Sequence, residues 1–527
     1  MITHPDFPAE PWNVRESGLD LNVLAQSESV FALSNGHIGL RGNLDEGEPH
    51  GLPGTYLNSV FEFRPLPYAE AGYGYPDSGQ TVINVTNGKL IRLLVEDEPF
   101  DVRYGELRAH ERVLSLRDGV LRRSVEWISP SGRGVHISTT RLVSFTQRAT
   151  AAIAYEVRPL NGPLHLVLQS ELVANEQLPT MSDDPRAAAV LAAPLRPEQH
   201  TAHDARARLV HSTRGSGRRV GAAMDHTVHC PAAVQTDIEC SPDTARFTLT
   251  TRLAAGQPLR VVKFLAYGWS SQRSIPAISA QVEAALTLAR ATGWDGLLAE
   301  QREYLDDYWA RADVDLDGDP EVQQAVRFAL FEVLQASARA ERRPIPAKGL
   351  TGPGYDGHAF WDTEAYVLPA LTYTTPHAAA DALRWRHLTL PAAQQRAREL
   401  TLDGATLPWR TINGDECSGY WPAGTAAFHV NADIADAAIR LVDATGDDGF
   451  EREIGLALLV QTARLWASLG FHHLDGCFRI DGVTGPDEYS ALADNNVYTN
   501  LMAQRNLRGA VDAARRHPDE AAVLGVT

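Results

Sequence analysis

The chain has 527 residues, 44% of them hydrophobic and 22% charged, which fits a globular protein of two or more domains. A formal net charge of -18 argues against nucleic acid as a partner and requires a local basic pocket for any anionic substrate. Four cysteines (Cys230, Cys240, Cys417 and Cys477) are too few for a disulfide framework and lack zinc-ligand spacing. The N-terminus has no basic n-region or apolar h-region, and no apolar run could span a bilayer, so a cytoplasmic protein with no metal and no membrane partner is expected.

Residues 1–270 read as β-rich. Thr81-Val82-Ile83-Asn84-Val85 and Lys89-Leu90-Ile91-Arg92-Leu93-Leu94-Val95 have strand character, with Asn87-Gly88 between them as a hairpin signal. Short apolar-alternating runs recur at 134–143, 164–168, 246–250 and 259–265, a spacing that suggests a sandwich. Residues 176–235 are rich in Arg, Ala and His, and a long excursion without assigned structure is expected there.

The character changes near Ser271. Helical periodicity covers 278–291 and 294–310. Asp319-Pro320 then offers an N-cap and a first-turn proline. Further helices are predicted over about 320–340, 362–373, 377–399, 429–445, 450–470 and 495–516. Antiparallel helices with functional loops at one end suggest an α/α toroid or barrel. The domain boundaries read 1–270 for the β-sandwich, 271–318 for a helical linker and 319–527 for a catalytic helical domain.

Four loops of the helical half concentrate aromatic, carboxylate and amide groups. In the first, residues 349–364, glycines precede Trp361-Asp362. An indole covers a sugar's apolar face, and a carboxylate accepts hydroxyl protons; alternatively Asp362 caps a helix and Trp361 packs. In the second, Trp409, Tyr420 and Trp421 flank Arg410 and Glu416. These suit a saccharide cleft, or Arg410 and Glu416 form a structural ion pair. In the third, His429 faces a cleft or, the more favoured reading, is a hydrogen-bonded core histidine. The fourth is Thr484-Gly485-Pro486-Asp487-Glu488-Tyr489. Glu488 could donate a proton if burial or a neighbouring charge raised its pKa, while Asp487 either assists or orients the loop. On residue types alone, Pro-Asp-Glu is more often plain turn chemistry.

Together these segments resemble glycoside hydrolase family 65, the inverting α-glucoside phosphorylases and hydrolases. Gly357-His358-Ala359-Phe360-Trp361-Asp362-Thr363-Glu364 is similar to the family's Gly-His-x-Phe-Trp-Asp-Thr-Glu segment, and the Glu488 loop to the segment bearing its general acid. Asn495-Asn496-Val497-Tyr498-Thr499-Asn500, Trp12-Asn13-Val14-Arg15-Glu16, residues 34–42 and Pro53-Gly54-Thr55-Tyr56-Leu57-Asn58 fit as well. The resemblance implies an N-terminal β-sandwich, a helical linker and an (α/α)6 barrel, the barrel present only in its N-terminal part. It implies Glu488 as general acid, Trp361 and Asp362 holding the cleaved glucose, Trp409 against it, and Arg410 and Glu416 shaping the second sugar site. The 408–417 stretch looks more like trehalose-acting members than kojibiose- or maltose-acting ones.

Family members carry more barrel helices, a Lys-Gln sugar-binding segment, a phosphate loop and a small β domain beyond the point matching Thr527, so a fragment or truncated form is expected. About half the helices of a closed toroid are counted. The implied reaction is attack of inorganic phosphate, as co-substrate, on an α-linked glucose disaccharide with inversion. The alternatives are a hydrolase, which needs a general base, and a non-catalytic saccharide-binding relative. No other cofactor is expected, and a homodimer is carried over from the family.

Overall fold

The computed structural model describes residues 6–66, 72–177 and 191–526. Two compact units emerge: Met1–Glu62, Ile83–Arg339 and Gly349–Pro353 make the first, and Phe63–Val82, Ala340–Lys348 and Gly354–Thr527 the second.

The first unit is built on antiparallel sheets. The larger has ten strands, in the order Ala9–Glu10, Asn13–Ser17, Glu106–Ser115, Val120–Ile128, Gly134–Val143, Thr150–Pro159, Leu259–Ser270, Arg219–His229, Arg206–Thr213 and Leu195–His203. A five-stranded sheet runs Val234–Cys240, Thr244–Leu253, Leu164–Val173, Ile91–Val95 and Glu98–Pro99. Alternation sends Leu164, Leu166 and Leu168 of one sheet and Val135 and Ile137 of the other into a shared core with Trp127 and Tyr155, which makes this a β-sandwich. The ten-stranded sheet also buries its second face. Val282, Leu286, Ala289 and Trp294 of the helix Ile275–Ala312 pack on Val262, Phe264 and Ala223. That helix spans both helices predicted at 278–291 and 294–310. Gly293 (φ 71°, ψ 173°) breaks it between them.

Two local expectations fail. Asn87-Gly88 does not close a hairpin: Ile91–Val95 pairs with Leu164–Val173 and Glu98–Pro99, and Asn87 bridges to Val173. The predicted excursion at 176–235 contains three strands between Leu195 and His229 (178–190 lie outside the described residues). Their residues are poor strand formers individually. Pairing of Arg219–His229 with Leu259–Ser270 along eleven residues overrides that preference.

In the second unit, Pro376–Leu388, Leu390–Glu399, His429–Thr445, Leu456–Leu469 and Val497–Arg516 are the longer helices. Gly446 ends His429–Thr445 in the left-handed region (φ 66°), and Asn496 caps Val497–Arg516 by accepting from the Thr499 N–H at 3.1 Å. The expected fold class is corrected by this arrangement. The helical part is not N-terminal: strands occupy the N-terminal half, Ala9 to Ser270, and helices run from Ile275 to Val523. Nor do the described residues by themselves close an (α/α)6 barrel. A closed ring of six hairpins needs about twelve helices, and the described residues of the second unit supply six of seven residues or more, separated by long irregular loops. An α/α-like helical region is what they form. Among the described residues no helix is long and apolar enough to cross a membrane.

Candidate functional site

The loops of the second unit are pinned to one another by backbone pairing and by buried side chains. Ala359 and Thr411 form an antiparallel bridge, N···O 2.9 and 3.2 Å, which draws the 357–362 and 409–416 loops together. Gly357 sits at φ 74°, and a Cβ there would lie 2.6 Å from Val82, so this approach requires glycine. Gln80, fully buried, accepts from the Ile412 and Asn413 N–H groups (2.9 and 3.2 Å) and donates to Asn413 Oδ1 (2.6 Å).

One consequence is an aromatic wall. Trp361 and Trp409 come within 6.4 Å, centroid to centroid. They line a cleft of about 570 Å³ together with Asp362, Arg410, Lys348, Tyr355, Phe360, Ser418, Tyr420, Pro486 and Glu488. Five of the six residues singled out in the sequence therefore share one cavity: Trp361, Asp362, Trp409, Arg410 and Glu488. Asp362 makes no side-chain cap bond, and its exposed carboxylate faces the cavity, so helix capping does not account for it.

Glu416 is placed elsewhere. Its Oε2 accepts from the Trp409 N–H (2.7 Å), and its Oε1 from the Cys417 and Ser418 N–H groups (2.9 and 2.8 Å). It staples the loop that presents Trp409 and is not among the cleft-lining residues. The Arg410–Glu416 ion pair does not form. Arg410 instead donates Nε to His358 Nδ1 (2.6 Å) and Nη2 to Asp356 Oδ2 (2.9 Å) and the Tyr355 carbonyl (3.2 Å). Burial lowers the Arg410 pKa, and the Asp356 charge opposes that shift. His358 Nε2 donates to the Gln80 carbonyl at 2.6 Å. Burial, then the Arg410 charge, hold this histidine down at about 3, so it is neutral and Nδ1 is the acceptor.

Asp356 also takes Arg64 Nη2 at 2.8 Å. Tyr355 and Asp356 are both left-handed (φ 52° and 57°), an arrangement that costs about 1–3 kcal/mol per residue and that the two guanidiniums hold in place. Sequence reasoning missed Asp356, Gln80, Lys348 and Tyr355. His358 stood inside the quoted motif and could have been found there. For Gln80 no local signal exists.

The Glu488 loop is anchored at both ends. Val483 and Ala493 pair (3.0 and 2.8 Å), the Thr484 N–H bonds to the Ala426 carbonyl at 2.9 Å, and Thr484 Oγ1 bonds to the Ala491 carbonyl. A Cβ on Gly485 would lie 2.4 Å from the Asn496 amide. Asp487 accepts from the Tyr489 N–H at 3.1 Å and so shapes the turn, which leaves Glu488 exposed at the cleft edge. His429 is bonded on one nitrogen only: Nδ1 meets Asp433 Oδ2 at 2.8 Å, while Nε2 is buried without a hydrogen-bond partner. Among the described residues one trio has metal-ligand proximity, Asp448, Glu451 and His517. The Glu451 carboxylate is already occupied by Arg516 and His517, and none of the three lines the cleft.

Comparison with known proteins agrees across the chain. Residues 14–308 match the glycosyl hydrolase family 65 N-terminal domain, and 327–527 the family 65 central catalytic domain. An uncharacterized glycosyl hydrolase of Mycobacterium tuberculosis is 61% identical over 527 residues, covering 100% of this chain and 67% of that protein. An α,α-trehalose phosphorylase of Thermoanaerobacter brockii is 36% identical over 523 residues, covering 98% and 68%. A solved structure from the human microbiome, named for kojibiose phosphorylase, superposes with a TM-score of 0.89 at 24% identity, over 99% of this chain and 68% of that one, a likeness of fold. The chain spans about two thirds of the length of these relatives. With both family domains matched in order around a cleft of aromatic, acidic and basic side chains, the chain belongs to glycosyl hydrolase family 65, as an enzyme of that disaccharide phosphorylase and hydrolase family.

Proposed function

We propose that the protein cleaves an α-linked glucose disaccharide with inorganic phosphate and inversion, giving β-glucose 1-phosphate and glucose, with trehalose the favoured substrate. The observation that carries this reading is the sharing of one cleft by Glu488, Trp361, Asp362, Trp409 and Arg410. In the mechanism, Glu488 protonates the bridging oxygen as the C1–O bond breaks. A phosphate oxygen attacks C1 from the opposite face, and since phosphate is already an anion no second carboxylate has to act as base. Asp362 accepts hydroxyl protons of the cleaved glucose, and the two indoles cover its apolar face. Arg410, its Nε and Nη2 fixed by His358, Asp356 and Tyr355, borders the second sugar. The preference for trehalose is supported by the order of likeness: trehalose phosphorylases at 36% and 34% identity, maltose and kojibiose phosphorylases at 28–29%.

The test is Glu488→Gln in the full-length protein, assayed with trehalose, maltose, kojibiose and nigerose, with and without phosphate. Loss of general acid catalysis lowers turnover by about 10²–10⁴-fold with the fold intact. Near-normal turnover refutes the assignment. Proton NMR of fresh mixtures should show β-configured glucose 1-phosphate, and an α product rules out single displacement.

A further inference from the structure

His429 begins the helix His429–Thr445 and is wholly buried. A carboxylate only accepts, so the 2.8 Å contact with Asp433 puts a proton on Nδ1. The other Asp433 oxygen accepts from Tyr498 Oη at 2.7 Å, so the carboxylate is held from two sides and fixes the imidazole plane. Nε2 has no such bond. A histidine kept only for core polar bonding would use both nitrogens, because an unpaired buried polar atom destabilises the fold.

What the ring does have is aromatic neighbours. It stands edge-to-face with Trp361 (4.8 Å, 84°), with Trp409 (5.8 Å, 89°) and with Tyr498 (5.7 Å, 79°). Positive ring edges against negative π faces attract, and the attraction depends on angle. Both cleft indoles therefore lean on the same imidazole. We propose that His429, oriented by Asp433 and Tyr498, is a positioning residue that sets the Trp361 and Trp409 rings for stacking on a glucosyl ring. The inference rests on the reading of the cleft as an α-glucoside site and adds to it the group that aims the aromatic wall.

Two variants test it in the full-length protein. His429→Gln removes the ring but keeps a donor for Asp433. Tyr498→Phe keeps every ring and removes only the hydroxyl that braces Asp433, so it remains informative if the first variant fails to fold. The expected result for His429→Gln is a KM for trehalose raised about two- to tenfold, the scale of one or two lost edge-to-face contacts. The KM for phosphate stays unchanged, and the near-ultraviolet circular dichroism of the ligand-free protein changes in the tryptophan band. Tyr498→Phe should move both readouts in the same direction by less, with the unfolding midpoint lowered by the bond that Asp433 loses. Folded variants with wild-type trehalose KM and wild-type tryptophan signal overturn the proposal. So does a lowered unfolding midpoint with both KM values and the signal unmoved, the mark of a merely structural role. If the wild type acts on no α-glucoside, the reading of the cleft falls by itself. The positioning claim is then decided by the tryptophan signal of the ligand-free variants.

Discussion

Glu416→Gln is the most informative single change, because it alters one atom of a residue that the structure removes from the cleft and makes responsible for the cleft's wall. The glutamine oxygen can go on accepting from the Cys417 and Ser418 N–H groups, which share Oε1. The amide nitrogen then faces the Trp409 N–H, which now bonds to Oε2 at 2.7 Å. A charge-assisted bond worth about 1.5–3 kcal/mol is lost and a donor is left against a donor in a buried setting. Allowing for partial relaxation, the expected loss is about 2–3 kcal/mol. At about 2–4 °C per kcal/mol for a unit of this size, the helical unit should melt roughly 4–12 °C lower. The assay is thermal and urea unfolding followed by tryptophan emission, with trehalose KM measured on the same preparations. Because Trp409 is the residue released, KM should rise well below the melting range. A variant within about 0.5 kcal/mol of wild type with unaltered KM would refute the staple and return Glu416 to a direct sugar contact.

Two further predictions concern buried charge. Arg386 and Glu364 form a bidentate pair (2.7 and 2.9 Å) with both side chains at 0% exposure, so Arg386→Leu should cost about 3–5 kcal/mol and Arg386→Leu/Glu364→Leu should regain most of it; a mild single variant in urea unfolding would contradict the desolvation argument. In the sandwich, Lys89 and Lys263 donate to Gly54, Thr55, Leu90 and Glu171, and burial pushes both ammonium groups down to about 7. Between pH 7 and 9.5 the unfolded chain holds more protons than the folded one, so stability rises with pH, by about 1 kcal/mol per pH unit for each lysine, and is lost as pH falls toward 7. Lys263→Met should flatten the pH dependence measured by urea unfolding, and an identical slope in the variant would remove the assignment.

Local chemistry was legible in the sequence where one segment decides its own structure. Asp319 accepts from the Glu321 and Val322 N–H groups at 3.1 Å, as the Asp-Pro signal requires, and Gly293 interrupts its helix where the periodicity lapsed. Legibility failed where distant pairing decides. Asn87-Gly88 has ideal hairpin chemistry, yet its flanking strand finds Leu164–Val173, and Arg-, Ala- and His-rich residues become strands because Leu259–Ser270 supplies a ladder. The same division runs through the site. That Trp361, Asp362, Trp409 and Glu488 border one cleft was readable from motifs. The roles of Glu416 and Arg410 were not, because a charge does not announce its partner. Arg410 found Asp356 and His358, and Glu416 found three backbone N–H groups.

These partners explain how irregular loops hold a cleft to useful tolerance. Loops have few backbone ladders, so their conformation must be fixed by buried acceptors and donors that stand outside the cavity they shape. Gln80 fixes Ile412 and Asn413, Glu416 fixes Trp409 and Ser418, Asp356 with Arg64 fixes Arg410, and Asp433 with Tyr498 fixes the imidazole under both indoles. Gln80, Glu416, Asp356 and Asp433 are buried where their polar atoms cannot exchange a lost bond for water, so substitutions behind the wall should damage sugar binding more than exposed substitutions on it. A scan comparing Gln80→Leu with Tyr420→Ala, the latter an exposed residue on the cleft itself, separates the two possibilities. The buried change should weaken trehalose binding more than the exposed one, and the reverse order would mean that the loops hold their shape without these clamps.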